Sequence, residues 1–325
     1  MTQHSAVFRV LALALATSFA TTCLAVGVAP PSQAEVAAAV TALPASAPQY
    51  EEYVALGDSW TADVVLLDGR GTPDTRYAPL GCAQSKVNYP KLVEQTIRPA
   101  TFRDASCGAA TTEHFANSQS VLLGTNEPQF ARLTATTDLV TVGIGGNDAG
   151  IAAAGLDCLG LVPLTPITDI GIGLPLGGCK AKYTRGGVDQ LSQQISASED
   201  KLVAAFEGVR TISPNARILA VNYMDVVPDH GCFPRLAASD TDMKYISGKF
   251  RELNAMIDRA AARAAVEVVD TFASTGGHDL CTGPFDRYAE AYGLSLNGVA
   301  IGVPAHPNSA GAEAQARAVI AHLGG

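Results

Sequence analysis

The sequence predicts an α/β fold, a three-layer α/β/α sandwich around a central, mostly parallel sheet. Three observations carry this. Short apolar runs stop at glycine-bearing polar clusters, as where 139–144 (LVTVGI) runs into Gly145-Gly146-Asn147-Asp148. Stretches with helical periodicity separate those runs, the alternation of a parallel sheet covered on both faces. About 275 of the 325 residues remain once the N-terminal segment is set aside, enough for one large domain with its own core.

Taken in order, residues 1–34 read as a secretory signal peptide. Arg9 precedes a small-residue apolar run (VLALALATSFATTCLAVGVA), and Ser32-Gln33-Ala34 offers a small-residue exit. The alternative is a membrane anchor, but the run is rich in Ala and Thr and barely long enough to span. Lipid attachment at Cys23 is disfavoured by the Thr21-Thr22 before it. Residues 35–50 are rich in Ala and Pro and read as a flexible tether. A single domain then occupies 51–325. Its expected strands are 53–56, 101–105, 139–144, 217–222 and 266–269, and its expected helices 88–97, 188–208, 240–265 and 309–323. Asn308 or Ser309 is available to cap the last helix. Two long segments, 158–187 and 271–305, break the rhythm; connections that long are usually functional.

Bulk chemistry narrows the function. The net charge is −9 and no basic cluster occurs, which argues against a nucleic-acid partner. Seven cysteines are present, and loss of Cys23 with the signal leaves six. In an exported chain Cys82, Cys107, Cys158, Cys179, Cys232 and Cys281 are expected to form three bridges. Fifteen pairings are open; neighbour pairing, 82–107, 158–179 and 232–281, closes the shortest loops and is the expectation. No C-x-x-C or H-x-x-x-H spacing supports a metal, and no cofactor is implied.

The chemistry-bearing clusters sit where expected strands end, the position of active groups in such sheets. Ser59 follows Gly57-Asp58 and can serve as a nucleophile if a histidine takes its proton; a lone G-D-S is otherwise a plain helix cap. Asn147, after two glycines, can donate its amide to an oxyanion, or be a turn asparagine. Of six histidines, His306 lies between prolines just ahead of the last helix, whereas His322 falls in that helix's final turn, where the helix dipole accounts for it.

VALGDSW, GIGGNDAG and PAHPNSAG, in that order, resemble the signature blocks of the SGNH (GDSL-type) hydrolases over about residues 50–325, and more narrowly the secreted actinobacterial esterases and lipases with three disulfides. The resemblance implies a flavodoxin-like arrangement, Ser59 as nucleophile, His306 as general base, and an oxyanion hole built from Ser59, Asn147 and a backbone N–H in 107–112 (CGAATT). Counting from the threonines gives Ala109 that last role, while residue type gives it to Gly108. Two departures stand out. Trp60 replaces a smaller or tyrosine side chain, and Val303 stands where many members carry the triad aspartate. The expectation is therefore a Ser–His dyad oriented by the carbonyl of Val303 or Pro304, with Asp270, Asp279 and Asp286 as alternative acids.

The expected function is a secreted, monomeric carboxylic ester hydrolase acting on small-molecule or lipid esters through an acyl-enzyme, with transient lipid-interface contact. Attachment to the cell envelope is left open. The apolar segment 158–179 is either an acyl-binding wall or an insertion folded onto its own domain. The rivals are a carbohydrate O-deacetylase and a non-catalytic secreted binding protein on the same scaffold.

Overall fold

The computed structural model describes residues 50–67, 73–159, 161–165, 168–173, 178–233, 235–236, 238–295 and 300–324; the expected signal and the tether up to 49 lie outside them. Tyr50, counted with the tether, is instead buried, and its hydroxyl accepts a hydrogen bond from Arg217 at 3.0 Å.

Five strands form the central sheet: β1 (Glu52–Gly57), β2 (Thr101–Asp104), β3 (Leu139–Gly143), β4 (Arg217–Val221) and β5 (Glu267–Val269). Their order is β5-β4-β3-β1-β2 and every pairing is parallel. Read from the other edge this is 2-1-3-4-5, the flavodoxin-like arrangement. β1 and β3 are buried along their whole length, as strands covered on both faces must be.

The two faces separate by strand alternation. Tyr53, Ala55, Leu139 and Leu219 pack under helices α2 (Tyr89–Ile97) and α6 (Ser309–Leu323), against Val93 and Val319. Val54, Leu56, Val140 and Ile218 face helices α4 (Gln190–Ile212) and α5 (Asp240–Arg263), against Ile195, Phe206 and Met256. Two shorter helices, α1 (Ser59–Ala62) and α3 (Ile151–Cys158), follow β1 and β3 and carry the site.

Side-chain caps set the helix starts. Asp189 accepts from Ser192 N–H at α4, Ser239 from Asp242 N–H at α5, and Asn308, not Ser309, from Gly311 N–H at α6. α4 runs four residues past the expected end. Gly208 lies inside it, where a Cβ would come within 2.6 Å of the Phe130 ring, so glycine here admits close packing instead of ending the helix.

The disulfides are Cys82–Cys107, Cys158–Cys179 and Cys232–Cys281, closing separations of 25, 21 and 49 residues. On a chain-entropy basis each contributes about 3–4 kcal/mol. The two long segments carry short elements of their own. Leu161–Thr165 pairs with Thr168–Gly173, ahead of a short helix, Cys179–Tyr183. Ala289–Glu290 pairs with His306–Pro307. The acyl-wall reading of 158–179 falls mainly on side chains 160–177, outside the described residues.

Candidate active site

The site forms at the carboxyl ends of β1, β3 and β4. Asp58 caps α1, its Oδ1 accepting from Trp60 N–H at 2.9 Å, while its own N–H donates to the Gly143 carbonyl at the end of β3 (3.0 Å). That cap presents Ser59 on the first turn. Its Oγ lies 2.8 Å from His306 Nε2, although 247 positions separate the two residues.

His306 Nδ1 lies 2.8 Å from the Pro304 carbonyl oxygen. A carbonyl only accepts, so Nδ1 carries the proton and the Nε2 lone pair faces the serine hydroxyl. The loop is pinned by pairing of His306 with Glu290, and by Ala305 N–H donating to the Glu290 carbonyl at 2.6 Å. Ala305 sits at φ 58. The alternative acids are engaged elsewhere. Asp270 accepts from Asn222 Nδ2 and from Ala273 N–H, and Asp279 accepts from Cys281 N–H; of Asp286 it is the backbone carbonyl, not the carboxylate, that meets His278 Nδ1.

Asn147 lies just past β3, its Nδ2 donating to the Ala110 carbonyl at 2.8 Å. A primary amide has two N–H groups, so one orients the side chain and the second remains for another acceptor. Asp148 locks the same two loops together, accepting from Thr112 N–H (3.0 Å) and Thr112 Oγ1 (2.7 Å). The two residues between which the register was left open differ in their surroundings. The Gly108 N–H donates to the Cys82 carbonyl at 3.0 Å, whereas Ala109, at φ 60, lines the cavity beside Ser59. Among the described residues, neither the Ser59 nor the Ala109 N–H meets an acceptor. A left-handed alanine costs about 1–2 kcal/mol and persists where its surroundings over-determine it; here the Cys82–Cys107 bridge and the Asn147 contact flank it.

Sequence reasoning missed Tyr223. Its buried hydroxyl accepts from Gly146 N–H at 2.7 Å and donates to Asp58 Oδ2 at 2.5 Å, so it joins the serine turn to the asparagine loop. Its backbone is gripped at both polar groups by the Asn254 side chain of α5, at 3.0 and 2.9 Å. A Cβ on Gly146 would stand 2.9 Å from the Tyr223 oxygen, so glycine permits the approach. The available signal was its place, two residues beyond β4, where such sheets collect active groups. Burial pushes the Asp58 carboxyl up to about 7, against the opposing hydrogen bonds from Tyr223 and the Trp60 backbone.

A cavity of about 490 Å³ opens over these groups. Its apolar lining includes Trp60, Ile151, Leu156, Ile246, Phe250 and Leu280. Trp60 packs edge-on against Tyr223 with ring centroids 5.2 Å apart, which makes it part of the cavity wall. The remaining described histidines are accounted for away from the cavity. His114 takes part in a capping box, His278 stacks on Tyr288, His230 meets Asp229, and His322 meets Glu267 at 2.9 Å, a more specific contact than the helix dipole alone.

A family model described as the GDSL-like lipase/acylhydrolase family matches residues 55–314. The chain is similar to Lipase 2 of Streptomyces coelicolor, at 33% identity over 288 residues covering 87% of this chain and 89% of that protein. It is similar to a Streptomyces scabiei protein named Esterase at 28% identity, covering 82% and 84%. Two solved structures share the fold. Phospholipase A1 from Streptomyces albidoflavus NA297 has a TM-score of 0.64 at 24% identity, over 84% of this chain and 99% of that one. The extracellular lipase of Streptomyces rimosus has a TM-score of 0.59 at 21% identity, over 83% and 98%.

Proposed function

The chain belongs to the GDSL-like lipase/acylhydrolase family, and on that premise we propose that it hydrolyses carboxylic esters of apolar acids through a Ser59–His306 dyad. The observation that carries this is the 2.8 Å contact between Ser59 Oγ and a His306 Nε2 whose partner nitrogen is fixed by the Pro304 carbonyl. Ser59 Oγ attacks the ester carbonyl carbon while Nε2 takes its proton. The same imidazolium then protonates the departing alkoxide, leaving an acyl-serine. Water attacks the acyl carbon next as His306 takes its proton; the bond from the acyl carbon to Oγ then breaks, the imidazolium returns the proton to Ser59, and the acid leaves.

The negative charge that develops on the carbonyl oxygen is met by the N–H groups of Ser59 and Ala109 and by the second N–H of Asn147. The backbone carbonyl of Pro304 supplies the tautomer selection of a triad acid, though not its charge. The largely apolar cavity favours an acyl or lipid ester over an acetylated sugar.

Export is supported by three disulfides, which persist in oxidising compartments. Among the described residues no helix is long and apolar enough to cross a membrane. The test is covalent labelling with a fluorophosphonate together with turnover of p-nitrophenyl esters. Labelling at Ser59, and loss of both signals in Ser59→Ala with an unchanged circular dichroism spectrum, are expected. A Ser59→Ala protein that keeps more than a few per cent of wild-type kcat would overturn the assignment.

A further inference from the structure

The polar side chains among the described lining residues fall into two groups. Ser59 is grouped with Asp58, Asn147, Tyr223 and His306 around it. Asp157, Lys182 and Tyr183 lie at the far end of α3, with nothing but apolar or backbone surface between the groups along that helix. The far group is itself joined: Lys182 Nζ and Tyr183 Oη both reach Asp157 Oδ2, at 2.5 and 2.6 Å, and the Lys182 ammonium lies 5.1 Å from the Tyr183 ring centroid.

Two restraints hold that group at the cavity. The Cys158–Cys179 bridge joins the residue after Asp157 to the first residue of the Cys179–Tyr183 helix. The Asp242 carboxylate of α5 accepts from the N–H groups of Gly178 (2.8 Å) and Lys180 (2.9 Å), anchoring the start of that helix. The near end of α3 is tied to the reacting groups, since Ile151 N–H donates to the Gly146 carbonyl at 2.9 Å.

From these observations we infer that the Asp157–Lys182–Tyr183 cluster closes the far end of an acyl groove along α3 and makes esters of medium-chain fatty acids, about eight carbons long, the preferred substrates. This rests on the ester-hydrolase reading of the same cavity. Six residues of helix separate Ile151 from Asp157, about 9 Å. An extended hydrocarbon chain with bonds of about 1.5 Å advances roughly 1.25 Å per carbon, so about seven methylenes fill that length beyond the carbonyl. Each methylene inside the groove leaves water and raises kcat/KM by up to about fourfold. A longer chain meets an ion pair whose charges must then be stripped of water without gaining a partner, or it stays in solvent; neither rewards the added carbons.

The experiment is the kcat/KM of p-nitrophenyl acetate, butyrate, octanoate, laurate and palmitate, each in monomeric solution, for four proteins. Wild type is expected to peak at octanoate and to fall at least tenfold by palmitate. Asp157→Leu/Lys182→Met, which removes both charges together, should move the peak to laurate with at least a tenfold gain there. Lys182→Met alone, at an exposed side chain, should raise laurate about threefold and guards against misfolding of the double variant. Lys182→Arg should keep the octanoate peak. A wild-type peak at acetate or palmitate, or single and double variants whose profiles superimpose on wild type, would overturn the groove assignment. A wild type that hydrolyses none of the five esters sinks the ester-hydrolase reading itself, a separate result.

Discussion

Replacing Tyr223 by Phe removes one oxygen and with it the link between the serine turn and the asparagine loop. Both lost bonds are buried, Gly146 N–H to the hydroxyl at 2.7 Å and the hydroxyl to Asp58 Oδ2 at 2.5 Å. Leaving a buried donor or acceptor unmet costs about 1–3 kcal/mol each, so the variant is expected to lose roughly 3 kcal/mol of stability. At about 2–3 °C per kcal/mol for a domain of this size, Tm should fall by roughly 6–9 °C. The larger consequence is catalytic. In the proposed mechanism the two loops carry different oxyanion donors, and loosening their spacing should lower kcat about 10- to 100-fold while KM changes less than threefold.

The pH profile separates this role from mere packing. The Tyr223 hydrogen bond opposes the burial that pushes Asp58 up to about 7, so its removal raises that carboxyl further. Ionised Asp58 holds the serine turn through its cap on Trp60 N–H, so the acid limb of the kcat profile should move to higher pH in Tyr223→Phe. Steady-state kinetics from pH 5 to 9 on p-nitrophenyl butyrate, with Tm by circular dichroism, give all three readouts. A variant that loses stability but keeps wild-type kcat and an unmoved profile would refute the positioning argument and leave Tyr223 as core.

Asn147→Ala should lower kcat about a hundred- to a thousandfold with little change in KM; near-normal kcat with raised KM would instead place Asn147 in ground-state binding. Asp270→Ala, Asp279→Ala and Asp286→Ala should each retain most of kcat, while His306→Ala loses nearly all of it, because Nδ1 is met by the Pro304 carbonyl. One aspartate variant as inactive as the histidine variant, with its fold intact, would end the dyad reading. Asp58 also makes a pH-dependent claim on stability. Its folded pKa of about 7 lies above the usual 3.8, so between those values the folded chain holds a proton that the unfolded chain has released. Stability therefore falls as pH rises through this window, by about 3 kcal/mol from pH 5 to 8, relative to Asp58→Asn. Urea unfolding of the pair at both pH values measures it, and a constant difference would show that Asp58 is ionised throughout.

The amino-acid sequence by itself determined the alternation of elements, because burial patterns are local. A strand covered on both faces must read 53–56 or 139–142 in nearly continuous apolar residues, whatever lies above it. It also set the three signature blocks at strand ends; the neighbour disulfides were one of fifteen pairings open to it, expected because they close the shortest loops, and the structure has that pairing. Interior glycines were harder to read: Gly208 looks like a helix end until the Phe130 ring is seen beside it.

Only the tertiary structure decided the finer choices, since each depends on distances across the chain or on one backbone angle. Gly108 and Ala109 differ by which N–H the Cys82 carbonyl takes and by a φ of 60 at Ala109, neither of which composition reveals. Val303 and Pro304 both offered a carbonyl, and the loop pinned to Glu290 turns the Pro304 oxygen toward Nδ1. Tyr223 stands 165 positions from Asp58 and 77 from Gly146, and it becomes part of the site because Asn254 of α5 holds it over both. Packing between distant elements, not periodicity along the chain, brings a hydroxyl, a carboxylate and a glycine N–H to one point.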